Sequence, residues 1–198
     1  HIIFNFDFGA TIANYSRFNI HNNYLIVLSI LLFYLLPFCI LQNKIFFKYL
    51  RNNKKQILIF FILYFILYFV GYLFFKDLIV FSPRGGGVFM KIANLNSIDP
   101  SFFLPTISFI SLIILDFFFR ARRLQNYSLL IVLIFSFPIY TIFQKYFDPL
   151  FFLFFFGLIK SVEFENIFLK GKNLLIPILI YFAFFYCYSL IYYSKGFY

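Results

Sequence analysis

The segment Ser82-Pro83-Arg84-Gly85-Gly86-Gly87 combines residue types and spacing that could bind an anion. Consecutive glycines reach positive φ and let another group approach the main chain closely. The amphipathic stretch that follows, Val88 to Leu95, is too short to span a bilayer and reads as a short amphipathic or re-entrant helix. Its start would expose backbone N–H groups beside the Arg84 guanidinium, a combination that suits a phosphate or another anion. Lys91 adds a second cation, equally placed to meet lipid headgroups.

Two further segments hold candidate residues. In Gln144-Lys145-Tyr146-Phe147-Asp148-Pro149, Asp148 followed by proline reads as a helix start, its carboxylate capping free N–H groups. Lys145 and Gln144 are pressed between two apolar runs, where a basic side chain can face a cavity and meet a lipid phosphate. The stretch from His1 to Asn23 is either an interfacial lead-in or a loop that contributes Arg17 and His21 to the same site. Elsewhere, Asp116 lies four residues before Arg120, a spacing that reads as an i, i+4 ion pair rather than a proton relay. Glu163 and Glu165 read as solvated charges. Cys39 and Cys187 fall in apolar runs with no ligand-spaced neighbours and read as small buried hydrophobes. No residue pattern points to a metal, a nucleotide loop or a nucleophile with its base, so no cofactor is expected.

The elements that must position these groups follow from composition. Of 198 residues, 63% are hydrophobic and 12% charged, too few polar side chains to cover the outside of a soluble fold of this size. The chain is an integral membrane protein, and its net charge of +10 belongs to span-flanking loops rather than to nucleic-acid binding. The 27% aromatic share, all Phe and Tyr, is explained as well by AT-rich coding as by any stacking function. A crossing helix needs about 20 mostly apolar residues. Four runs qualify directly: Tyr24 to Leu41, Ile57 to Phe75, Phe102 to Phe119 and Leu174 to Tyr193. Ser128 to Phe143, with Pro138, and Leu150 to Ile159 are shorter, which gives about six crossings. With the first segment outside, eleven of the 17 basic residues fall in cytoplasmic loops and six outside. The expectation is one all-α, polytopic transmembrane domain over residues 1–198, multi-pass in a bacterial plasma membrane or the endoplasmic reticulum, with a non-cytoplasmic N-terminus. A first residue of His1 and a single methionine, Met90, make it the expected tail of a longer protein.

Taken in order, these features resemble a known family. Gly9-Ala10-Thr11-Ile12-Ala13-Asn14-Tyr15-Ser16-Arg17 with His21, then Arg84 in a later loop, then Gln144-Lys145-Tyr146-Phe147 at the head of another span, are similar to the C-terminal half of the polytopic α-1,2-glucosyltransferases that use dolichyl-phosphate glucose. Arg84 matches that family's loop arginine, Lys145 stands for its second arginine, and Tyr146 and Phe147 match directly. Gly85 and Gly86 stand where the family has His and Tyr, and Asn14 where it tends to have Asp. The resemblance implies a membrane glycosyltransferase that takes a sugar from a polyprenyl-phosphate donor on the non-cytoplasmic face. It implies donor-phosphate contacts from Arg84, Gly85, Gly86, Gly87 and Lys145. Arg17, His21, Lys91, Gln144, Tyr146 and Asp148 would line the site, and a lipid-linked or extracytoplasmic glycan would accept the sugar. That family places its catalytic acids in the N-terminal half, so no catalytic residue is assigned in this chain. The competing expectation is a non-enzymatic membrane protein, either a lipid-linked sugar exporter or an assembly subunit.

Overall fold

The computed structural model describes residues 20–75, 86–136, 142, 144, 147–169 and 175–194, and every regular element among them is helical. In chain order these are α1 (Ile20–Leu41), α2 (Asn43–Asn52), α3 (Lys54–Phe75), α4 (Gly87–Leu95), α5 (Pro100–Phe119) and α6 (Arg123–Phe135). They are followed by α7 (Phe147–Phe152) with a π-helical turn at Leu153–Leu158, α8 (Val162–Leu169) and α9 (Leu175–Ser194). The all-α transmembrane bundle expected from the apolar runs is the fold. Helices form because a backbone in hydrocarbon must satisfy its own N–H and C=O groups.

α1, α3 and α5 are long and apolar enough to cross a membrane, and α9 has 20 residues over the last expected run. The two untidy runs give shorter pieces. α6 has 13 residues and begins earlier than its apolar run, at Arg123. The run Leu150 to Ile159 becomes the six residues of α7 and the six of the π-helical turn, where Ile159 N–H reaches back to Phe154 C=O at 2.9 Å. α4 occupies the place expected for the short amphipathic helix after the second span.

α1 is the axis of the bundle and touches each of the other described helices. Of its spanning window 78% is buried, against 11% for α3. Both are apolar on every side, so the contrast comes from placement: α1 is enclosed by protein and α3 presents apolar side chains on the outside of the bundle. Cross-helix hydrogen bonds set the register. Ser108 Oγ donates to Leu25 C=O at 2.9 Å, and Tyr181 Oη on α9 donates to Phe33 C=O at 3.0 Å. Tyr64 and Tyr68 on α3 donate to Pro105 C=O and Ser101 C=O, which orders α3 and α5 antiparallel. At the start of α5, Asp99 caps Ser101 N–H at 2.9 Å, with Pro100 at the first helical position.

One end of the bundle gathers the end of α1, α2, the start of α3, the α5–α6 turn and the start of α8. The i, i+4 pairing expected of Asp116 and Arg120 is not what forms there. α5 ends at Phe119, and Arg120, just past it, lies 5.0 Å over the Phe117 ring and pairs with Glu163. Asp116 instead meets Arg123 at 3.2 Å, across the turn. Glu163, expected to be solvated, is buried, because Arg120 neutralises it and the Ser161 hydroxyl donates to it. Of the two cysteines, Cys39 is buried as expected, whereas Cys187 on α9 is exposed on the apolar outside.

Candidate functional site

The glycine segment and the Gln144 segment, 56 residues apart in sequence, dock on each other. Gly86 N–H donates to Ile142 C=O at 2.9 Å, and Val88 N–H donates to Gln144 Oε1 at 3.0 Å. The Gln144 amide spans the junction, since its Nε2 also donates to Tyr34 Oη on α1 at 3.3 Å. Tyr34 is held in turn by stacking on Phe151 of α7, ring centroids 4.4 Å apart. One side chain therefore ties α4, α1 and the segment that leads into α7.

The glycines are needed here for two separate reasons. Gly86 and Gly87 both hold positive φ, +83° and +76°, a region costly for residues with a Cβ. There is also no room: a Cβ at Gly86 would come within 2.7 Å of the Met90 side chain. At Gly87 it would come within 2.8 Å of Ile30 and 3.3 Å of Gln144 Oε1. Methionine at position 90 is buried against Leu25, Tyr68 and Leu104, which fixes α4 laterally.

These contacts also fix the depth of α4. Ile30 lies halfway along the 22 residues of α1, so Gly87 sits at mid-height, while Met90 packs beside Leu25, nearer the start of α1. α4 therefore begins inside the bundle and climbs towards the end at which α5 starts. A helix N-terminus carries about half a positive charge, here directed into the interior beside Gln144. The junction does not leave all of its N–H groups open, because those of Gly86 and Val88 are taken by Ile142 and Gln144.

Of the residues expected in the site, the structure brings together Gly86, Gly87 and Gln144. Lys91 is half-buried on α4, one turn beyond Gly87. Arg84, Gly85, Lys145, Tyr146 and Arg17 lie outside the described residues, though Arg84 precedes Gly86 by two residues and Lys145 follows Gln144 directly. His21 is in α1, and Asp148 is the second residue of α7, inside the helix rather than before it; their side chains also lie outside the described residues. Sequence reasoning missed Tyr34 and Ile142. A phenol among four apolar neighbours on each side of an aromatic-rich span carries no distinguishing signal, and a backbone carbonyl has none at all.

The end of the bundle at the α5–α6 turn holds the other polar assembly. Asp116 accepts from Tyr49 Oη at 2.5 Å and Tyr127 Oη at 3.0 Å as well as from Arg123. Gln42 Nε2 donates to Glu163 C=O at 2.6 Å, and Asn126 Nδ2 donates to Lys160 C=O at 3.2 Å. Burial and the adjoining Asp116 carboxylate both push the Tyr49 phenol well above its usual range. Each of these donors and acceptors has its partner on another element, so the assembly ties helices together. Among the described residues no group of His, Cys, Asp and Glu is placed to hold a metal ion. No protein-family model, curated protein or solved structure matches this chain.

Proposed function

We propose that this chain forms the donor-binding, C-terminal part of an integral membrane glycosyltransferase that uses a polyprenyl-phosphate-linked sugar, with its site on the non-cytoplasmic face. The observation that carries this reading is the docking of the glycine segment on the Gln144 segment, with Val88 N–H on Gln144 Oε1 at 3.0 Å. Lys145 follows Gln144 directly in sequence, and Arg84 precedes Gly86 by two residues. The donor's isoprenoid tail lies among the apolar helices, and its phosphate meets the two cations and the positive end of α4. As the sugar leaves, negative charge grows on that phosphate. Cations fixed in advance stabilise the charge more in the transition state than in the ground state, which is the form of binding that accelerates reaction.

The depth of α4 favours one second reading, a lipid-linked sugar exporter. A half-helix whose N-terminus opens inside the bundle, meeting Ile142 C=O and the Gln144 amide, follows the pattern of discontinuous helices that bind anionic substrates in transporters. Both readings are tested with the product of the whole gene in proteoliposomes loaded with a radiolabelled polyprenyl-phosphate sugar and a lipid-linked acceptor. The transferase reading expects labelled acceptor, lost about a hundredfold in Arg84→Ala with folding intact. Movement of intact donor between leaflets without transfer selects the exporter.

A further inference from the structure

We propose that the groove between α2, α3 and α5 is a binding site for one anionic phospholipid of the adjoining leaflet, independent of the glycine junction and of the transferase reading. The groove has a volume of about 790 Å³, and its walls are apolar, formed by Phe47, Leu50, Phe61, Phe109 and Ile113. Arg51 and Lys54 stand among the same lining residues, where α2 ends and α3 begins. This order of groups matches a phospholipid, with a phosphate at the cations and acyl chains on the apolar wall.

Three observations specify the occupant. From Lys54 to Phe61 the groove follows α3 for roughly 10 Å, about two thirds of the depth of one leaflet's hydrocarbon. No Asp or Glu occurs between residues 43 and 56, and the Arg120–Glu163 and Arg123–Asp116 ion pairs involve neither Arg51 nor Lys54. The lining cations thus lack an internal carboxylate, and a phosphodiester with an anionic headgroup supplies the missing charge. Finally, α2 is amphipathic, with Tyr49 buried against the bundle and Lys44, Lys48 and Arg51 exposed. This is the form of a helix that lies along the membrane surface and roofs the groove at headgroup level.

The test is native mass spectrometry of the full chain, extracted from nanodiscs of equal phosphatidylglycerol and phosphatidylcholine. The wild type is expected to retain one phosphatidylglycerol and no phosphatidylcholine. Arg51→Gln with Lys54→Gln, both exposed positions, lowers that occupancy about tenfold. Lys44→Gln with Lys48→Gln removes equal charge from α2 outside the groove and changes occupancy less than about twofold. Ile113→Trp fills the groove and lowers occupancy with every cation in place; should it fail to fold, the paired charge variants still decide. Equal retention of the two lipids by the wild type overturns the proposal. So does an equal loss in both charge variants, which would mark a diffuse basic surface, or displacement of the lipid by a polyprenyl phosphate.

Discussion

The glycine junction at mid-height and the α5–α6 end of the bundle solve the problem of polar groups in an apolar protein in opposite ways. At the α5–α6 turn, charged side chains are neutralised by one another: Arg120 by Glu163, Asp116 by Arg123 and two tyrosines. At the glycine junction the described partners are uncharged, namely backbone N–H and C=O groups, one amide and one phenol. A charge already balanced inside the fold holds helices together and is closed to a ligand. A junction built from neutral groups, next in sequence to Arg84 and Lys145, can orient nearby cations without consuming them. Donor binding is therefore proposed at the glycine junction, while the paired charges tie helices together.

Perturbing single residues can break or sharpen this contrast. The largest effect is expected from Gly87→Val, which combines positive φ with a collision at Ile30; it should cost about 4 kcal/mol and lower the unfolding midpoint in mild detergent more than any other single change. Arg120→Ala strands the buried Glu163 carboxylate and should cost about 3 kcal/mol, with donor binding unchanged in the folded fraction. The Gln144 pair separates structure from binding. Gln144→Leu leaves Val88 N–H without its acceptor and should cost about 2 kcal/mol. Gln144→Glu keeps an acceptor and most of the stability, but its negative charge should abolish binding of a phosphate-bearing donor in a vesicle-binding assay. The smallest effect concerns pH. The Tyr49 phenol is raised in the folded state, so the stability it contributes is complete below the ordinary tyrosine range and is lost as pH rises above about 10. Tyr49→Phe should flatten that alkaline fall in the unfolding midpoint while lowering stability at neutral pH by about 1 kcal/mol.

What could be read from sequence was what depends on local composition. The runs that became α1, α3, α5 and α9 are legible because crossing hydrocarbon demands unbroken apolar length, and α4 is legible because three glycines mark its start. Pairing across helices was not legible. Glu163 has the same neighbours in sequence whether solvated or buried, and only the packing of α8 against α5 chooses between the two. The Asp116–Arg120 spacing misled because each side chain finds its partner on another element, Arg120 on Glu163 of α8 and Asp116 on Arg123 of α6, although Arg120 itself keeps helical backbone angles. At the site, the glycines announced a close approach but not what approaches. Ile30 lies 57 positions away and the Gln144 amide 57 in the other direction, and no local pattern records either.

The seat of α4 carries a consequence for biosynthesis. Nine residues are too few to enter a bilayer on their own hydrophobicity, and the groups that receive this segment, Ile142 and Gln144, are translated some fifty residues later. Until the following helices emerge from the ribosome and insert, the N–H groups of Gly86 and Val88 lack the partners they have in the fold. A nascent chain stalled before residue 142 would hold its glycines accessible to a water-soluble labelling reagent, and one released after residue 169 would shield them.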